Sequence, residues 1–200
     1  MSSPSTTAGD AADVAAFGRA LEAARAGHAL GFEWIWHRFS RQVTAFARLR
    51  GSEDPEGVAN DVFAAAFGRI DRFDGGPNAF VSFVFAIARN KTADEHRRRR
   101  RRATESISNR GTAEVVTGED SETAPSAETD ALAGLNVETA HALRLLTDEQ
   151  REIVFLRVVA DLPIHEVAEL TGRSVGAVKA MQHRALVTMR KEISRGAVSR

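Results

Sequence analysis

Apolar residues follow helical spacing along two stretches of this chain and thin out between them. In GFEWIWHRFSRQVTAFARLR, residues Phe32, Ile35, Trp36, Phe39, Val43 and Phe46 keep the three-to-four-residue repeat of a helix face, which predicts a helix with most of these side chains in a core. A second helix starts near Asp54 and Pro55. Phe63, Phe67 and Ile70 share one of its faces, Val58, Val62 and Ala66 form an adjacent one, and Asn60 and Asp61 are left polar. The segment DRFDGGPN, with two glycines and a proline, reads as a turn. A third helix follows, in which Phe80, Val84 and Ile87 form a buried stripe. Phe83, Asn90 and Arg97 stand seven apart and so share another face.

The second stretch carries sharper punctuation. Thr147 followed by Gln150 is a capping box that starts a helix at Asp148, with Ile153, Leu156 and Ala160 on one face. Pro163 suits the first turn of the next helix, where its missing N–H has no intrahelical partner. Val167, Ala168 and Leu170 supply that helix's apolar side, and Gly172 can take the left-handed conformation that ends it. Ser174 can cap the following helix, whose stripe is Val175, Val178, Met181, Ala185 and Met189. Two short helices around a glycine-containing turn make a helix-turn-helix motif. Lys179, Ala180, Gln182, His183 and Arg184 are left outward on its second helix, with Arg173 and Ser174 at its start. Arg and Lys there can read guanine edges or grip phosphate.

No sustained alternating run with hairpin turns is present, so the fold class is all-α: two small helical domains joined by a flexible acidic linker. The divisions read as a disordered tail at 1–11, a helical domain at 12–102, a linker at 103–133, the helix-turn-helix domain at 134–194 and a tail at 195–200. The formal net charge of zero conceals a segregation. Residues 104–130 carry a net charge of −6, while 89–102 and 171–200 each carry +6. A basic patch in each domain fits a polyanion touched at two places. On the helix with Phe83, Asn90 and Arg97, an aromatic ring, an amide and a cation would stack on, hydrogen-bond to and neutralise a nucleic-acid strand. Read singly, Phe83 is more simply a core residue and Asn90 a solvated one.

The chain has no cysteine, which excludes disulfides, thiolate metal sites and a cysteine nucleophile. Its six histidines show no paired metal spacing, and no phosphate-binding loop, dinucleotide fingerprint or nucleophile elbow is present. Neither a metal nor a cofactor is expected, nor an enzymatic activity. No apolar run reaches the length of a membrane span, and the first residues lack a signal core, so a soluble cytoplasmic protein without membrane insertion is expected.

Taken in order, FEWIWHRFSRQVTAFARLR, DPEGVANDVFAAAFGRIDRFDG, FVSFVFAIARN with its arginine run, and LRLLTDEQREIVFLRVVADLPIHEVAELTGRSVGAVKAMQHRAL resemble the two domains of extracytoplasmic-function (ECF) sigma factors of bacterial RNA polymerase. The resemblance covers about 30–102 (region two) and 134–194 (region four). It implies a promoter-binding subunit whose partners are the polymerase core, promoter DNA and an anti-sigma factor. By position, it implies that Asn60, Asp61 and Phe63 dock on the beta-prime clamp helices of the core. Phe73, Asp74, Asn78, Phe83, Arg89, Asn90 and Arg97 would meet the −10 element, and Arg173, Ser174, Lys179, His183 and Arg184 the −35 element. The linker would thread toward the polymerase active-centre and RNA-exit channels. The chain departs from the family pattern at Gly57 (usually Asp), Asn60 (usually Gln), Phe83 (usually Trp) and Ala180 (commonly a small hydroxyl residue). The alternative left by the residues alone is a helix-turn-helix regulator that acts without the core.

Overall fold

The computed structural model describes residues 8–108 and 137–198, and every regular element among them is helical. The first block comprises α1 (Ala8–Arg25), α2 (Ala29–Leu49), α3 (Pro55–Phe67), a 3-10 turn (Ile70–Arg72) and α4 (Pro77–Ser108). The second comprises α5 (Val137–Arg144), α6 (Asp148–Val154), a π-helical turn (Phe155–Val159), α7 (Ile164–Thr171) and α8 (Val175–Val198).

Three boundaries differ from the sequence expectation. Helix α1 begins at Ala8, inside the segment expected as a tail. Ala8, Ala11 and Ala12 are strong helix formers, and Phe17 and Leu21 give the helix a face to bury. Helix α4 runs through the arginines and on to Ser108, past the expected boundary at 102, with the good helix formers Ala103 and Glu105 in the added turns. Helix α8 reaches Val198, into the expected C-terminal tail. The acidic linker lies outside the described residues from position 109 onward.

The first block is built on aromatic rings. Phe17 of α1, Phe39 of α2 and Phe80 of α4 meet with centroids 5.3–6.2 Å apart, and Trp36 meets Phe63 edge-on at 4.9 Å. Gly31 lets α1 and α2 cross closely: a Cβ there would lie 2.5 Å from the Ala20 carbonyl oxygen. Asp54 caps α3 by accepting from the Gly57 amide at 2.9 Å, with Pro55 in the first turn.

In the second block the capping box forms in full. Thr147 Oγ1 accepts from the Gln150 amide at 3.3 Å, and the Gln150 side chain accepts from the Thr147 amide at 3.1 Å. Replacing Thr147 with Ala is expected to cost about 1 kcal/mol, read as a lower denaturation midpoint; an unchanged midpoint would remove the cap from the account. Ile153, Leu156 and Ala160 are buried as their spacing predicts, as are Val178, Met181 and Ala185. Val175, expected in that stripe, is instead exposed at the start of α8, where no neighbouring helix covers it. Pro163 stands one position before α7 as its N-cap.

The two blocks share a continuous apolar core. Phe155, at the start of the π-helical turn, sets its ring against Phe46 of α2 (5.6 Å) and Phe85 of α4 (6.0 Å).

Candidate nucleic-acid interface

The geometry of the helix-turn-helix follows from its turn. Gly172 adopts φ 68°, the left-handed conformation that lets the Arg173 amide reach back to the Ala168 carbonyl at 2.9 Å and close α7. Ser174 Oγ then accepts from the Ala177 amide at 3.2 Å and opens α8. Burial of Val178, Met181 and Ala185 against the rest of the block fixes the rotation of α8. The rotation leaves Ser174, Lys179, Ala180, His183 and Arg184 exposed along its length. Of the expected −35 residues, Ser174 is engaged as the cap of α8 and Arg173 through an ion pair of its guanidinium with Glu149 of α6. Arg173 must share or leave that carboxylate to meet a phosphate.

The face of the first block is organised by α4. Phe73 and Phe83 stack with centroids 5.8 Å apart at 26°, and Phe80 lies beneath them, edge-on to Phe73 at 5.3 Å. Both upper rings are half-buried, so each keeps an edge in solvent. The loop that carries Phe73 is pinned from α1: Arg25 Nη2 donates to the Phe73 carbonyl and Arg25 Nε to the Ile70 carbonyl at 3.4 Å. Arg25 was not singled out in the sequence, since a cation in the last turn of an amphipathic helix carries no local mark of a distant partner. Asp74 and Asn78 stand exposed around the start of α4, and Asn90 is exposed further along it. Arg97 is exposed and pairs with Asp94, whose carboxyl this hydrogen bond and the charges of Arg97, Arg98 and Lys91 hold below its usual range. Arg98, Arg100, Arg101 and Arg102 extend the basic surface.

Two of the residues expected to meet partners are engaged within the chain in this structure. Phe63 is only 1% exposed, between Trp36 and Phe67, so its ring belongs to the core and meets no partner in this form. Its neighbours on α3, Asn60 and Asp61, are exposed, and Asp61 pairs with Lys91 at 3.0 Å. The Arg89 side chain is 37% exposed, and part of its guanidinium is engaged within the chain. Its Nε donates to Glu152 Oε1 at 3.1 Å and its Nη1 to the Leu170 carbonyl at 3.0 Å, both in the second block.

Among the described residues no group of His, Cys, Asp and Glu could hold a metal ion, and no helix is long and apolar enough to cross a membrane. Helix α4 exposes Asn90 and a run of arginines beside the half-buried Phe73–Phe83 stack, and α8 exposes Lys179, His183 and Arg184 together with Leu186 and Val187.

The comparisons with known proteins agree with that division. The sigma-70 region 2 family matches residues 35–102 and the sigma-70, region 4 family matches residues 137–189. The chain is 34% identical over 143 residues to the ECF RNA polymerase sigma factor ShbA of Streptomyces griseus, covering 68% of this chain and 69% of that one. It is 31% identical over 175 residues to the ECF RNA polymerase sigma factor BldN of Streptomyces coelicolor, covering 84% of this chain and spanning only 62% of BldN. Among solved structures, the sigma factor RpoE of Bartonella quintana, in complex with the anti-sigma factor NepR, superposes with a TM-score of 0.58. That match has 22% identity and covers 82% of this chain and 96% of RpoE, a likeness of fold.

Proposed function

The chain belongs to the ECF sigma factors of the sigma-70 family, and from that premise we propose that it binds RNA polymerase core, recognises −35 and −10 promoter elements and helps melt the duplex. The observation that carries this reading is the disposition of α8. Its buried stripe of Val178, Met181 and Ala185 leaves Lys179, His183 and Arg184 exposed together, as a groove-reading helix requires.

In this reading residues 12–102 serve the core and the −10 element, and 134–194 the −35 element, with 103–133 as the connection between them. The exposed part of α3 around Asn60 and Asp61 docks on the beta-prime clamp helices. The Phe73–Phe83 stack, with Asp74, Asn78, Asn90, Arg97 and Arg89 when free, takes the melted −10 strand. A base leaving the duplex gives up a few kcal/mol of stacking and pairing, which ring contacts and polar side chains offset. Arg173, Ser174, Lys179, His183 and Arg184 take the −35 major groove. Two modest DNA contacts on one tethered chain reinforce each other through effective concentration. The chain contributes no catalytic group, works in the cytoplasm and is held in check by an anti-sigma factor.

Mixing the purified chain with core polymerase tests the proposal. Co-elution of the two on gel filtration is expected, with promoter affinity that falls steeply as salt rises. Specific duplex binding without any association with core would replace it with the reading of a stand-alone helix-turn-helix regulator.

A further inference from the structure

The arginine run of α4 ends two residues before a hydroxyl, that of Thr104. Thr104 is the only serine or threonine in the sequence with Arg or Lys both two and three residues before it; here these are Arg102 and Arg101. The structure sets that hydroxyl in the open. Thr104 is exposed, and its Oγ1 donates to the Arg100 carbonyl of its own helix at 3.0 Å. Residues 97–102 are exposed as well. Six successive exposed positions take in every side of a helix, so no face of this stretch is buried. Thr92 makes the contrast. It follows Arg89 by three residues and Lys91 by one, but it is 0% exposed and its Oγ1 donates to the Ala88 carbonyl inside the block, out of reach of any enzyme.

We infer that Thr104 is a phosphorylation site for a protein kinase with an acidic substrate cleft, and that the phosphate disarms the basic surface of α4. The site stands without the sigma-factor reading; its consequence for promoter binding rests on that reading. The reaction is a phosphoryl transfer from ATP. The bond from Thr104 Oγ1 to the γ-phosphorus forms, the bond from that phosphorus to the β,γ-bridging oxygen breaks, and ADP leaves. The hydroxyl proton passes to a base of the kinase. Guanidinium forks at Arg101 and Arg102 suit carboxylates of the cleft. A kinase takes its target residue in an extended strand, so α4 must open around Thr104. Opening costs least where nothing is buried, and the helix ends only four residues later, at Ser108. Like charges one turn apart, Arg97 with Arg101 and Arg98 with Arg102, weaken it further. Once attached, the phosphate carries about −1.5 to −2 charges. Arg100 and Arg101 lie four and three residues before it on the same helix face and donate charge-assisted hydrogen bonds to it. Two guanidinia that would neutralise DNA phosphates are then occupied.

The purified full chain is incubated with ATP and a soluble extract of the encoding organism. Fragment mass spectra are expected to show phosphate on Thr104, and Thr104→Val should lose that modification. A peptide of residues 97–108 should compete for the kinase, whereas the same peptide with Arg101→Ala and Arg102→Ala should not. The phosphorylated chain should elute from heparin, a polyanion, at lower salt. With core polymerase, its promoter affinity should fall about tenfold or more, and the slope of log affinity against log salt should shrink by about two. Thr104→Glu, with a smaller charge, should move both readouts part of the way, and Thr104→Val should move neither. Unchanged circular dichroism in both variants separates lost charge from lost fold. Absence of phosphate from Thr104 would overturn the site, and equal competition by the two peptides would overturn the acidic cleft. Unchanged heparin elution after phosphorylation would overturn the disarming. Phosphate on Thr104 and earlier heparin elution, in a chain that never binds core, would remove the sigma-factor reading and leave the modification standing.

Discussion

Phe80→Ala is expected to cost about 3–5 kcal/mol of stability, the largest loss of any single truncation considered for the first block. Phe80 is 0% exposed and its ring touches four others: Phe17 from α1, Phe39 from α2, and Phe73 and Phe83 from the −10 face. Truncation leaves a cavity that the surrounding rings, fixed on α1, α2, α4 and the loop before α4, cannot easily collapse into. It also removes the floor under the Phe73–Phe83 stack, so −10 binding should fall even where the chain remains folded. Phe83→Ala separates the two effects. Its ring is half-buried, so the stability loss should be markedly smaller while the defect at the −10 element persists. Denaturant titration of both variants, paired with binding to a single-stranded −10 oligonucleotide in the presence of core, checks this. A Phe80→Ala midpoint within experimental error of the unaltered chain would show that the aromatic cluster is not the keystone of the block.

Lys179→Ala and Arg184→Ala should each weaken −35 recognition by about 1–3 kcal/mol if the side chain makes a bidentate contact to a base edge. That corresponds to roughly 5- to 150-fold in affinity. Both residues are exposed on α8 and neither is needed to hold the helix in place, because its rotation is set by Val178, Met181 and Ala185. Loss of affinity should therefore come without loss of stability. It should also be sequence-dependent, with discrimination relaxed at the contacted base pair. Arg97→Ala is the contrast: a phosphate contact there would weaken binding to all sequences alike and reduce the salt slope by about one. Lys179 and Arg184 variants with unchanged promoter selectivity would dismiss both assignments.

Much of the architecture was legible in the sequence because local rules and tertiary structure agree. The Thr147–Gln150 capping box, the left-handed Gly172 and the Ser174 cap each act over three or four residues, so their effect can be read without knowing the fold. The stripe of Val178, Met181 and Ala185 then determined which side chains of α8 remain outward. Phe63 shows the opposite case. Its spacing with Phe67 and Ile70 already placed it on an apolar face, and the role implied for it by family resemblance ran against that pattern; in the structure the pattern holds. The start of α1 was missed because a polar N-terminal composition masked the helix propensity of its alanines.

What the sequence did not disclose is non-local. Arg89 and Glu152 are 63 residues apart, and nothing in either neighbourhood marks the other as a partner. Glu152 did carry a faint signal: it is an acid immediately before Ile153, on a short helix whose other residues at that depth are apolar. The π-helical turn is similarly silent in sequence. FLRVV reads as continuing helix, and only the Ala160 amide bonding to the Phe155 carbonyl at 3.0 Å, five residues back, reveals the wider repeat. That turn rotates Val158 and Val159 outward and directs Phe155 toward the first block.

The most direct measurement is transcription-start mapping on sheared genomic DNA from the encoding organism, using core polymerase with and without the purified chain. The account predicts a set of starts that appear only with the chain and share two upstream motifs at fixed spacing, and that vanish when Lys179 and Arg184 are both replaced with Ala. The same start sites with and without the chain would contradict it.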